Sequence, residues 1–257
     1  MIVSAESVTA LGDVAGKVLI AGSHGGRVAA SYAAQACARA VILNDAGIGK
    51  DEAGVAGLAW LATIGMAAAA VSHASARIGD GADMLARGII SRANGPAKKA
   101  GVLPGMSCRD AAVALLAAAI PAGKLPPYAE GRYELAEGTR GLDSIGMLVP
   151  ADAGRRLVIG SHCALHGGRP VSALPIDAAF AAFNDAGGEL SRLPVLASRG
   201  IPAVAVDCMS ARIGDARSMW ETGTVSAVNE KAAQLGVARG MSLRRATEAV
   251  AAAQKKP

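Results

Sequence analysis

Aromatic residues make up only 3% of the 257 positions, and there are just four histidines and four cysteines. Two Phe, two Trp and three Tyr leave little for bases to stack on. Lys and Arg meet only in local pairs, Lys98-Lys99, Arg155-Arg156, Arg244-Arg245 and Lys255-Lys256. The net charge of +5 therefore does not gather into a nucleic-acid surface, and it suits a small anionic ligand better. The cysteines (Cys37, Cys108, Cys163, Cys208) form no CxxC pair. The opening MIVSAESVTA lacks the basic start and apolar run of a secretory leader, so reduced thiols in a cytoplasm are expected. Neither GxxxxGK[ST] nor GxGxxG occurs, which leaves NAD, flavin and ATP without a signature. The uncharged stretch from Val55 to Val71 is slightly short of the about 20 residues a bilayer needs. Its counterpart later in the chain carries Arg199 and Pro202, and a buried helix followed by a buried strand explains both. No membrane partner is expected.

What the chain has in quantity is small apolar residues: 52% of it is hydrophobic and 32 positions are glycine. Such a core suits helices layered on a parallel sheet. It also writes one phrase twice, SARIGD, as Ser75 to Asp80 and as Ser210 to Asp215. Downstream Gly88, Ser91 and Asn94 match Gly223, Ser226 and Asn229, and Gly105-Met106-Ser107 matches Gly240-Met241-Ser242. Upstream Asn44-Asp45-Ala46-Gly47 matches Asn184-Asp185-Ala186-Gly187, and AGSHGGR faces IGSHCALHGGR with four extra residues. Glu6-Ser7-Val8 and Asp143-Ser144-Ile145 correspond more weakly. The period exceeds that of solenoid repeats, so a duplicated domain is expected.

Each half alternates strand and helix. KVLIAG, AVILND and MAAAAVSH read as buried strands, with a helix over GRVAASYAAQACA and another, acidic in its first turn, over DEAGVAGLAWLATIG. RRLVIGSH, DAAFAAFNDAGG and IPAVAVDC repeat the pattern. The expected fold is α/β: two tandem, internally duplicated domains, each with a mainly parallel sheet flanked by helices, related by a pseudo-twofold axis. The first copy spans 1–119, a Pro/Gly-rich linker and entry 120–140, and the second copy 141–257. Met209, Trp60 and Trp220 read as packing.

In open parallel sheets ligands bind beyond the carboxyl ends of the strands, and the shared motifs fall there. Ser23, Gly25 and Gly26, with Ser161, His162, Gly167 and Gly168, are expected to offer backbone N–H groups to an anion. Asn44, Asn184 and Asp185 end strands, where Asx residues also form turns. Ser75, Arg77, Ser210 and Arg212 belong to the repeated phrase, and a guanidinium there can fork a carboxylate or phosphate, or pair internally with Asp80 or Asp215. Those two aspartates read as helix caps. Catalysis is expected from His24, His73, Asp45, Ser72, Asp207 and Cys208. His24, Asp45 and His73 follow successive strands and could hold Zn²⁺ or Fe²⁺, or act as a metal-free acid–base set. The second copy offers His162, His166, Asp185, Asp207 and Cys208, the cysteine being a nucleophile only if a histidine lowers its pKa.

These residues point to an enzyme acting on a small, carboxylate-bearing anion by hydrolysis or lyase chemistry, in a cleft between the copies. The alternatives are a two-lobed binding or sensor protein, which would not need the histidines, and an assembly protein with Arg77 tied to Asp215. The sequence leaves a homo-oligomer open.

Overall fold

The computed structural model describes residues 1–126 and 128–254, so the Lys255-Lys256 pair lies outside the described residues. The chain divides into two compact units. Unit 1 holds 1–48, 52–129 and the short segment 166–168; unit 2 holds 49–51, 130–165 and the chain from 169 onward.

Unit 1 runs β1 (Ile2–Ala5), β2 (Val18–His24), α1 (Arg27–Gln35), β3 (Ala40–Asn44), α2 (Ala56–Ala62), β4 (Ala67–Val71), α3 (Gly81–Arg87), β5 (Ile90–Ala93), α4 (Gly95–Lys99) and α5 (Cys108–Ala114). Its five strands lie in sequence order, β1 to β4 parallel and β5 antiparallel at the edge. Alternation divides the sheet between two cores. Val18, Ile20, Ala40, Ile42, Ala67 and Ala69 pack with Met84, Ala97, Cys108 and Ala111 on one face. Leu19, Ala21, Val41, Leu43, Ala68 and Ala70 pack with Ala29, Ala33, Leu58 and Leu61 on the other. With both faces covered, the strands become the continuous apolar runs seen in the sequence. Alanine dominates because helices lie close over both sides.

Unit 2 runs β6 (Arg132–Ala136), β7 (Thr139–Leu142), β8 (Arg156–His162), β9 (Phe180–Asn184), α6 (Arg192–Ser198), β10 (Ala203–Val206), α7 (Ala216–Thr222), β11 (Val225–Val228), α8 (Glu230–Gln234) and α9 (Leu243–Gln254). Its six strands again follow sequence order; β7 to β10 are parallel and both edges antiparallel. Two sheets, mostly parallel and flanked by helices, are what the composition called for. No helix among the described residues is long and apolar enough to cross a membrane.

The start of the second helix and the placing of Met209 need correction, and the strand order is simpler than in doubly wound folds. The second helix begins at Ala56 with no acid in its first turn, because Asp51 and Glu52 have left-handed backbones (φ 54° each) that no α-helix accepts. Strand order never reverses among the parallel strands, so neither sheet has the switch-point crevice of doubly wound folds. Met209 is not packed but 63% exposed, on a turn capped by Asp207, whereas Trp60 meets Tyr128 edge-on and Trp220 lies under Arg244.

Candidate active site at the carboxyl edge of unit 1

The repeated SARIGD phrase is a strap laid over the carboxyl ends of the strands. In unit 1 Ser75 Oγ accepts the Ile89 N–H (2.9 Å) and donates to Ser72 O (2.8 Å). Asn44 Nδ2 donates to Ala76 O (3.2 Å), the Gly79 N–H donates to Gly22 O (2.6 Å), and Asp80 caps α3 through the Asp83 N–H (2.9 Å). Unit 2 repeats each bond. Ser210 joins Thr224 and Asp207, Asn184 holds Ala211 O, the Gly214 N–H donates to Gly160 O, and Asp215 caps α7. A Cβ on Gly160 would stand 2.5 Å from Asp143 O and 2.8 Å from Asp215 N, so the strap can cross only over glycine. Ala76, Ile78, Ala211 and Ile213 are buried beneath it. The arginine is the one side chain of the phrase that the scaffold does not enclose.

Both arginines pair with the aspartate of their own strap. Arg77 is 62% exposed and engages Asp80 through Nη2 alone (3.1 Å), with Asp83 at 3.6 Å. Arg212 is more committed: Nε and Nη2 meet Asp215 and Nη1 meets Asp51 (3.0 Å), a member of the same unit. Arg77 therefore keeps donors for a ligand that Arg212 has spent.

Asn44 and Asn184 are fully buried and serve the backbone. Each Oδ1 accepts the N–H of the following alanine, Ala46 or Ala186, at 2.9 Å. Those alanines have left-handed backbones (φ 49° each), a conformation costing about 1 kcal/mol that the Asx bond helps to hold. The turn aims the next aspartate at the strand-end loop beyond it. Asp45 Oδ1 accepts the Gly47 N–H (3.1 Å), the His73 N–H (2.9 Å) and, at 2.8 Å, His73 Nδ1. Asp45 is buried at 3% exposure and the His73 side chain is 35% exposed. A carboxylate oxygen has no hydrogen to give, so it accepts from the ring, and the proton of this bond sits on Nδ1.

Unit 2 builds the same turn without the histidine. Asp185 Oδ1 accepts the Gly187 and Cys208 N–H groups (3.2 and 3.0 Å), and Cys208 occupies the place of His73. Burial first, then the Asp185 and Asp207 carboxylates, push the Cys208 thiol up to about 12. These neighbours favour the thiol over the thiolate, the opposite of what a cysteine nucleophile needs. Asp207 Oδ1 accepts the Met209 N–H (2.8 Å) and Ser72 Oγ the Ala74 N–H (3.3 Å), so both cap turns.

Most donors of the expected anion loops are engaged within the protein. The Gly25 N–H donates to Asn44 O (2.7 Å) and the Gly26 N–H to His24 Nδ1 (3.1 Å). In unit 2 the matching donors belong to Cys163 and Ala164, which bond Asn184 O and His162 Nδ1. Gly167-Gly168 is thus not the counterpart of Gly25-Gly26; its Gly167 N–H donates to Gly79 O within unit 1. Ser23 and Ser161 accept the Val8 and Ile145 N–H groups, which accounts for the weak match near Ser7 and Ser144.

His24 is a structural acceptor, and burial pushes its pKa from 6.5 down to about 4. The unfolded chain binds this proton at 6.5 and the folded one only near 4, so unfolding takes up a proton in that window. Stability is full above pH 6.5 and is lost as the pH falls toward 4, by about 3 kcal/mol. Urea midpoints between pH 7 and 4 are expected to fall with a slope that His24→Gln flattens; an equal slope in both proteins would contradict this role.

His24, Asp45 and His73 do not form a compact ligand set. Among the described residues, the group whose ligand atoms all lie within 4.8 Å of one another is Asp185, Asp207 and Cys208. Asp45 does orient a histidine, as one reading of the sequence had it, and the histidine is His73; the feature that sequence reasoning missed is the buried Arg192, next to Ser191 and close to Glu189, where a charge looks unremarkable. No family model, curated protein or solved structure matches the chain.

Proposed function

We propose that the protein is an enzyme acting on a small carboxylate-bearing anion by hydrolysis or lyase chemistry, with His73 as its acid–base group. The observation that carries this reading is the 2.8 Å bond from half-exposed His73 to buried Asp45. Asp45 fixes the ring orientation and offsets the positive charge that forms when Nε2 takes a proton. Ser72 and Ser75 are engaged in turns, so His73 has no hydroxyl nucleophile bonded to it, and the group it deprotonates is a water or a substrate carbon acid. Arg77, on the same strap with donors to spare, supplies the anion contact.

The two units are read as copies of one ancestral α/β domain. The bond-for-bond agreement of the two straps and the two Asx turns supports this. On that reading unit 2 lost the base when Cys208 came to stand where unit 1 has His73, and unit 1 carries the chemistry.

The test is a panel of small amides, esters and hydroxy acids bearing a free carboxylate, followed by NMR for water addition or elimination. Turnover by the wild type that disappears in His73→Gln supports the proposal. Turnover that survives in His73→Gln removes His73 from the chemistry, and binding without turnover that the substitution leaves unchanged returns the protein to the binding class.

A further inference from the structure

Arg192 opens α6 and has no exposed surface. Its N–H donates to Cys163 O (3.0 Å), a bond that Gly57 makes to Gly25 O (2.9 Å) in unit 1. Where one unit packs glycine on glycine, the other buries a guanidinium. That group lies over Phe183, 5.1 Å from the ring centroid, and Nη1 donates to the carbonyls of Ser172 and Ala173. Nε and Nη2 have no partner among the described residues. Burial lowers its pKa to about 10, with the Cys163 thiol working the other way, so it is a cation at neutral pH.

Nε and Nη2 form the edge of a guanidinium that suits an oxoanion. Elsewhere in this chain that edge holds carboxylates: Arg87 meets Asp83 through Nε and Nη2 at 2.8 Å each, and Arg212 meets Asp215 at 3.0 and 2.8 Å. Arg192 presents the same fork inside the protein with no acceptor among the described residues. An unpaired cation is among the costliest groups to bury, and is kept where something compensates it.

We propose that Arg192 is an anion site in unit 2, binding a small monocarboxylate through Nε and Nη2. One negative charge neutralises the guanidinium. A phosphate dianion would bring a second charge among Phe183, Cys163 and Ala173, all buried and none cationic. The site is independent of the His73 reading, which concerns unit 1 alone.

The experiment is thermal unfolding of extensively dialysed protein titrated with sodium formate, against sodium chloride at equal ionic strength. The wild type is expected to gain stability saturably, by roughly 5–10 °C at about 100 times the dissociation constant. Arg192→Lys, which keeps the charge but lacks the fork, should show no response beyond chloride. Arg192→Met should also be flat, and in anion-free buffer should melt above the wild type. A wild type with no saturable formate response, or variants that respond equally, overturns the site. A stronger response to inorganic phosphate than to formate overturns the monocarboxylate assignment. Should Arg192→Met fail to fold, the wild type and Arg192→Lys decide.

Discussion

His73→Gln is expected to keep the fold and lose about 10²–10⁴-fold in turnover on any substrate of the wild type. The backbone N–H of residue 73 still donates to Asp45 Oδ1, so the loop stays in place. A glutamine amide can fill the ring's hydrogen bond but cannot take up a proton, so the loss should fall on kcat with KM little changed. Asp45→Asn is expected to lose rate as well, for a different reason: a neutral amide no longer offsets the imidazolium charge. Steady-state kinetics of both variants beside the wild type check this. Equal rates in wild type and His73→Gln would remove His73 from the chemistry.

The largest effect on stability is expected at Asn94 and Asn229. Asn94 Oδ1 accepts the Ala68 and Ala97 N–H groups (3.0 and 2.9 Å), and Nδ2 donates to Leu58 O and Met66 O (3.0 and 2.9 Å). Asn229 does the same with Ala203, Ala232, Leu193 and Ile201. One side chain thus caps a helix, ends a strand and ties the preceding helix to it. Alanine at either position takes a partner from up to four backbone groups at a buried site, each costing about 1–3 kcal/mol before relaxation. A net loss of about 3–5 kcal/mol is expected for each substitution, read from urea unfolding. A loss below about 1 kcal/mol would mean that water or a backbone shift replaces these bonds.

The sequence made the strands legible because continuous apolar runs such as AVILN and AAAAV have no other use in a chain this rich in helix formers. The α2 start was misplaced because acids before an apolar run look like a first helical turn, while the left-handed backbone of Asp51 and Glu52 leaves no mark in composition. The strap shows the limit for sites. Recurrence of SARIGD marks positions that must be kept, yet Ser75, Gly79 and Asp80 are kept for backbone bonds, and only exposure separates Arg77 from them. The loop glycines read as anion donors because a sequence does not reveal which carbonyl already holds an N–H. His73 was recognisable as a difference between the halves, whereas its bond to Asp45 depends on how β3 and β4 end side by side.

The most direct test of the account is the protonation pattern of the His73 ring, read from ¹⁵N shifts of histidine-labelled protein above the pH at which the ring titrates. The account predicts a proton on Nδ1, donated to Asp45, and a bare Nε2, with that preference lost in Asp45→Asn. A ring protonated on Nε2, or one averaging freely between the two forms in the wild type, would contradict the claim that Asp45 holds His73 ready to accept a proton.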